Sequence, residues 1–186
     1  MSFGTRDFTK RSATVAVAAL LVSLTQPAHA AQDLLAIQIS GVPGDTAFAT
    51  ANVLPPSSIE VLSASLGLST PVNISLGGVK TSVPNFQDLA IFKNFNNSSP
   101  ALAMDEMIGK LIPTAILSFY TGTPGSFKKY YTITLTNVYV SSIGLSDSQG
   151  SGGATEAVSF AYAQIRFVDN LSGVAECYNR LTQLTC

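Results

Sequence analysis

The sequence predicts a mainly-β fold, a small antiparallel β-barrel of two packed sheets with one flanking α-helix. Three observations carry this expectation. Long runs such as "YYTITLTNVYVSSI" and "TEAVSFAYAQIRF" alternate apolar and polar residues, the period of a half-buried strand. Turn residues separate the runs at regular intervals. Only one segment, beginning at "SSPAL", carries a helix start.

The first thirty residues stand apart from the fold. Arg6, Lys10 and Arg11 make a basic start, "SATVAVAALLVSLT" is an apolar run too short to span a bilayer comfortably, and "AHA" fits a small-residue cleavage site. Residues 1–30 therefore read as a secretory signal peptide cut between Ala30 and Ala31; the rival reading is an uncleaved membrane anchor. A Sec-type leader sends the protein to the periplasm or outside the cell, with no stable membrane insertion once it is removed.

Cleavage leaves residues 31–170 as one barrel domain and 171–186 as a tail. In "DLLAIQIS", Leu35, Ile37 and Ile39 alternate in a first strand, which stops at the turn "GVPGD". "TAFATANVLPPSS" has no period and ends in a Pro pair, so it reads as a long loop. "IEVLSASLGLS" reads as one half-buried strand, and "PVNISLGGVKTSV" as a short hairpin around Gly77 and Gly78. After the strand "NFQDLAIFKNF", Ser99 is placed to cap the helix and Pro100 to lead it. Leu102, Met104, Met107, Ile108 and Leu111 form its apolar face, and Pro113 ends it. The remainder is strand: "TAILSFYTG", a turn at "TPGS", "KYYTITLTNVYVSSIGL", the loop "SDSQGSGG", and "TEAVSFAYAQIRFVD".

Composition excludes several functions. The mature chain carries seven Lys and Arg against ten Asp and Glu, a formal net charge of −3, with no basic patch, so no nucleic acid is expected as a partner. The full chain's only histidine, His29, lies in the leader, so the mature chain has none. That removes Ser-His-Asp and Cys-His catalysis and histidine-ligated zinc, and neither a cofactor nor a metal is expected. A glycosidase would need two carboxylates facing one cleft, for which Glu60, Asp88 and Glu156 are the candidates, and nothing in their spacing selects them. Charged residues make up 11% of the chain, below the roughly 25% of globular domains, and such a surface is cheap to desolvate in self-association. Cys177 and Cys186 close the tail "ECYNRLTQLTC", and an oxidising compartment makes a disulfide between them the default, with an intermolecular bridge as the alternative.

In order along the chain, "DLLAIQISGVPGDT", "IEVLSASLGLS", "FQDLAIFKNFNNSSPAL", "YYTITLTNVYVSSI" and "GGATEAVSFAYAQIRF" resemble the haemolysin-coregulated protein family, Hcp, which forms the inner tube of type VI secretion systems. The resemblance implies a barrel that assembles into a homohexameric ring whose lumen carries secreted effector cargo, with rings stacking into a tube. The segment matching the family's stacking loop is Pro43 to Pro56, and Pro43, Gly44, Asp45, Phe48, Val53 and Leu54 are its candidate residues; it is apolar and Ala-rich where the family is charged. Asp88, Lys93 and Glu156 are candidates for structural pairing or subunit contact. Asp88 and Lys93 lie five apart, on opposite faces of a strand. The leader and the cysteine-bearing tail depart from the family and point to an exported Hcp-like assembly. The competing expectation is a monomeric secreted binding module that holds a glycan or surface partner on an aromatic platform of Phe119, Tyr120, Tyr130 and Tyr131.

Overall fold

The computed structural model describes residues 32–45, 48, 54–123, 125–149 and 152–186. The leader with Ala30 and Ala31, and Val53 of the long loop, lie outside them. Among the described residues no helix is long and apolar enough to cross a membrane.

The strands run in chain order: β1 (Gln32–Ile39), β2 (Ile59–Val61), β3 (Ser63–Ser65), β4 (Leu68–Ser69), β5 (Val72–Ser75), β6 (Gly78–Thr81), β7 (Asn85–Phe86) and β8 (Leu89–Asn94). The helix α1 (Ser99–Met107) follows, then β9 (Ile112–Thr123), β10 (Ser126–Ser146), β11 (Thr155–Asp169), β12 (Ala175–Asn179) and β13 (Leu184–Thr185).

Every pairing is antiparallel, and together they close a circuit. β10 lies between β9 and β11, β9 pairs β1, β1 pairs β2, β3 pairs β8, and β8 returns to β11. The link is the bend at Leu62, whose N–H bonds to the carbonyl of Phe92 at 2.7 Å and carries the chain from partner β1 to partner β8. Counting β2 and β3 as one bent strand, alternating directions return in phase, so the barrel leaves no open edge along this path.

That bend explains why "IEVLSASLGLS" is three short strands, β2, β3 and β4, where simple alternation predicts one. One strand cannot serve β1 and β8 without turning a corner, and Leu62 at the corner is exposed. A second irregularity crosses β9, β10 and β11 at one level. Ile112, Val138 and Tyr162 are neighbours, as are Ala115, Leu135 and Ile165, and all six are buried although each strand steps by three between them. Asn137, at φ 52, sits at this level, and its left-handed backbone swaps the strand's inner and outer faces. Ile37, Ile59, Leu89, Leu117, Leu135 and Phe160 fill the core, each 1% exposed or less.

The helix differs from expectation in its cap, face and end. Ser98, not Ser99, holds the N-cap position; its side chain makes no cap bond, and its Oγ donates to Asn96 Oδ1 at 2.7 Å. Leu102 and Asp105 are buried, while Met104, Met107, Ile108 and Leu111 are exposed. The helix lies against β10 with a narrow inward stripe, Ser99, Leu102 and Asp105, spaced three apart. The chain leaves the helix through Gly109 at φ 60, a conformation glycine adopts without strain. Pro113, expected as the stop, lies inside β9.

The tail also joins the sheet. β12 pairs β11 from Gln164↔Asn179 to Val168↔Ala175, and β13 pairs β12. Asp169 holds the turn between β11 and β12: its Oδ1 accepts from Leu171 N at 2.8 Å and its Oδ2 from Ser172 Oγ at 2.7 Å. These bonds favour the carboxylate and hold its pKa below the ordinary value. Arg180 then reaches back, its guanidinium 4.8 Å from the Tyr162 ring centre and 5.4 Å from that of Phe86.

Candidate functional site

Leu89, Ile91 and Lys93 alternate on the buried face of β8, so the third inward position is a lysine. Its register partner on β11 is Glu156, the first inward position of that strand. Lys93 is fully buried and Glu156 is 2% exposed, and the two form a salt bridge. Lys93 Nζ also donates to the carbonyl of Asn94 at 3.0 Å, Asn96 Oδ1 at 2.9 Å and Ser99 Oγ at 3.1 Å. Ser99 Oγ donates to Glu156 Oε1 at 2.7 Å and accepts from Asn96 N at 3.0 Å. The cluster thus ties β8, β11 and the start of α1 at one point. An ammonium and a carboxylate out of water are tolerable only when hydrogen-bonded in this way. Ser99 and Asn96 escape a reading by sequence because "NNSSP" carries a capping pattern, and the pull of a buried charge on its serine depends on a strand more than fifty residues away.

Asp88 lies on the opposite face of the strand and meets a different neighbour. Its Oδ2 accepts from Ser141 Oγ at 2.6 Å, where the β10–β11 register shifts between Val140 and Ser142. Glu60 sits between buried Ile59 and Val61 and so faces away from the core. Partial burial, and behind it the nearby charge of Asp45, raise its pKa above the ordinary value. Glu60, Asp88 and Glu156 therefore share no cleft in which two carboxylates could flank a substrate. Among the described residues no cluster of His, Cys, Asp and Glu could hold a metal.

The described part of the stacking-loop candidate is packed onto its own barrel. Phe48 is buried against Ala36 and Tyr120, with Leu54 beside them, in a small apolar cluster apart from the main core. Asp45 Oδ1 accepts from Phe48 N at 3.2 Å, and Asp45 N donates to the carbonyl of Ser58 at 2.9 Å. The carbonyl of Gly44 accepts from Asn97 Nδ2 at 2.7 Å, and a Cβ at Gly44 would lie 2.1 Å from the Ser57 carbonyl carbon, so only glycine fits. Pro43, Pro55 and Pro56 are exposed.

The expected aromatic platform is divided between two clusters. Tyr120 is buried beside Phe48, whereas Phe119 packs edge-on to Tyr131, ring centres 5.8 Å apart, and lies 6.2 Å from Tyr130. Phe119 and Tyr131 lean on the main core, so these rings serve packing. Cys177 and Cys186 come together with Cα atoms 5.3 Å apart, within the reach of a bridge.

Among the exposed apolar residues described, two groups stand out. One is the outer side of α1, and the other is the β5–β6 hairpin, every residue of which is exposed.

Comparison with known proteins matches this architecture. The family model described as "Type VI secretion system effector, Hcp" fits residues 37–168. Among solved structures, Hcp1 from Salmonella typhimurium is 20% identical with a TM-score of 0.68, over 83% of this chain and 99% of that one. A structure described as a type six secretion system protein is 22% identical with a TM-score of 0.71, over 83% and 100%. A type VI secretion system effector from Yersinia pestis is 18% identical with a TM-score of 0.61, over 78% and 98%. Comparison with curated protein sequences returns no match. At these identities the solved structures support the fold, and the family model, which fits well over half of the sequence, carries the assignment: the chain belongs to the Hcp family of type VI secretion.

Proposed function

We propose that the mature chain is a non-catalytic, ring-forming subunit of a tube-type assembly, exported by its leader and assembled as a homohexamer in the periplasm or outside the cell. The family match over residues 37–168 carries this reading. The arrangement of ionisable groups supports it: Lys93 and Glu156 are spent on tying the fold, and Asp88 on holding a strand irregularity. All three serve the subunit rather than contacts between subunits.

Rings stack through the Pro43–Pro56 segment, which meets its neighbour from its exposed prolines while Phe48 and Leu54 anchor it. Effector cargo occupies the lumen. The leader is cut between Ala30 and Ala31, and the oxidising compartment beyond it joins Cys177 to Cys186 within one chain. Electron microscopy of the purified mature protein tests the reading: six-fold rings are expected, and isolated single-chain particles would overturn it in favour of a monomeric binding module.

A further inference from the structure

Register sorts the β5–β6 hairpin into two unlike faces. Val72 opposes Thr81, Ile74 opposes Val79, and Asn73 opposes Lys80, so Val72, Ile74 and Val79 share one side and Asn73 and Lys80 the other, with Leu76 at the tip. The two strands pair only with each other. Ile74 is 78% exposed and Leu76 fully so. A two-stranded hairpin is marginally stable alone in water and needs a third strand or a helix against its apolar face. Among the described residues no third strand pairs with it.

The same chain does present a helix with an uncovered apolar stripe. Met104, Met107 and Ile108 stand at spacings of three and four along the outer side of α1, Leu111 follows, and all four are exposed. Methionine side chains adapt to an incoming surface better than branched ones. The two patches together offer on the order of 1,000 Å² of apolar surface, the size at which a specific interface becomes credible.

We propose that the β5–β6 hairpin of one subunit docks, apolar face down, on the outer stripe of α1 in a second copy. The contact joins two different patches of one chain, which makes it heterologous, the type that generates a ring when its rotation closes. This inference rests on the self-assembly reading and names the surfaces that carry it.

A charge swap tests it. Ile74→Glu alone and Met107→Lys alone each place an unpaired charge in the contact and weaken association by about 30-fold or more in mass photometry over a concentration series. The Ile74→Glu/Met107→Lys double variant pairs the two charges and recovers association. Leu171→Glu, on the β11–β12 turn, is expected to assemble as the unchanged protein does, and circular dichroism checks that each variant keeps the fold. If both single variants assemble normally, the hairpin–helix contact is wrong and self-assembly stands. Loss with Ile74→Glu but not with Met107→Lys would place the hairpin on some other surface and overturn the proposal. An unchanged protein that stays monomeric at tens of micromolar would remove the self-assembly reading itself.

Discussion

Replacing Glu156 with Leu removes the carboxylate from a site that keeps its ammonium. Lys93 Nζ would retain Asn94, Asn96 and Ser99 as acceptors and lose the carboxylate with which it forms its salt bridge. Breaking one side of a buried pair costs about 3 to 5 kcal/mol, a large share of the roughly 5 to 15 kcal/mol that holds a domain together. Ser99→Ala, which removes a hydrogen bond to the carboxylate and leaves both charges, should cost about 1.5 to 3 kcal/mol. The double variant Lys93→Met/Glu156→Leu fills the same space with apolar atoms and leaves no charge behind, so it should recover most of the loss. Urea unfolding of the four mature proteins, followed by circular dichroism, measures all of this. A Glu156→Leu variant within about 1 kcal/mol of the unchanged protein, or a double variant no more stable than Glu156→Leu, would refute the reasoning.

Three further outcomes follow from other parts of the molecule. Gly44→Ala forces a methyl against the Ser57 backbone and should destabilise by about 1 to 3 kcal/mol in the same unfolding assay. Glu60 has a raised pKa in the fold, so its contribution favours the folded state below its ordinary value of 4.5 and is lost as pH rises through the folded pKa. Glu60→Gln should therefore be more stable than the unchanged protein at neutral pH, with the difference fading as pH falls toward 4.5, as thermal melts across pH would record. Replacing Cys177 and Cys186 with Ser opens a short loop, worth at most about 3 kcal/mol on the chain-entropy account. Mass spectrometry of the untreated protein should find the pair joined within one chain, and free thiols or a covalent dimer would contradict that.

Where a segment keeps one partner on each side, local pattern reads well. β10, between β9 and β11, alternates over most of its length, and Leu89, Ile91 and Lys93 of β8 lie in phase, so the inward place of the lysine is legible in "LAIFK". In β2 and β3, where the strand turns a corner between two partners, local pattern is not enough. Nothing in "IEVLSASLGLS" marks Leu62 as the corner between two strands, because that corner exists only once β1 and β8 are both in place. The helix misled for a related reason. The sequence places Leu102, Met104, Met107, Ile108 and Leu111 on one apolar face, whereas Leu102 is buried in the core with Ala101 packed against it and the other four are exposed. The same mismatch exposes the stripe to which the hairpin contact is assigned. In the tail, the cysteine spacing is legible in the sequence, while the pairing of β12 with β11 and the reach of Arg180 to Phe86, 94 residues away, are not.

The central claim is that an Hcp-type barrel carrying its own leader exists as a ring of identical subunits. Native mass measurement of the mature protein, purified from the periplasm at tens of micromolar, tests it most directly. A dominant species of six times the chain mass is the predicted result, and a species of one chain mass throughout the concentration range would contradict it.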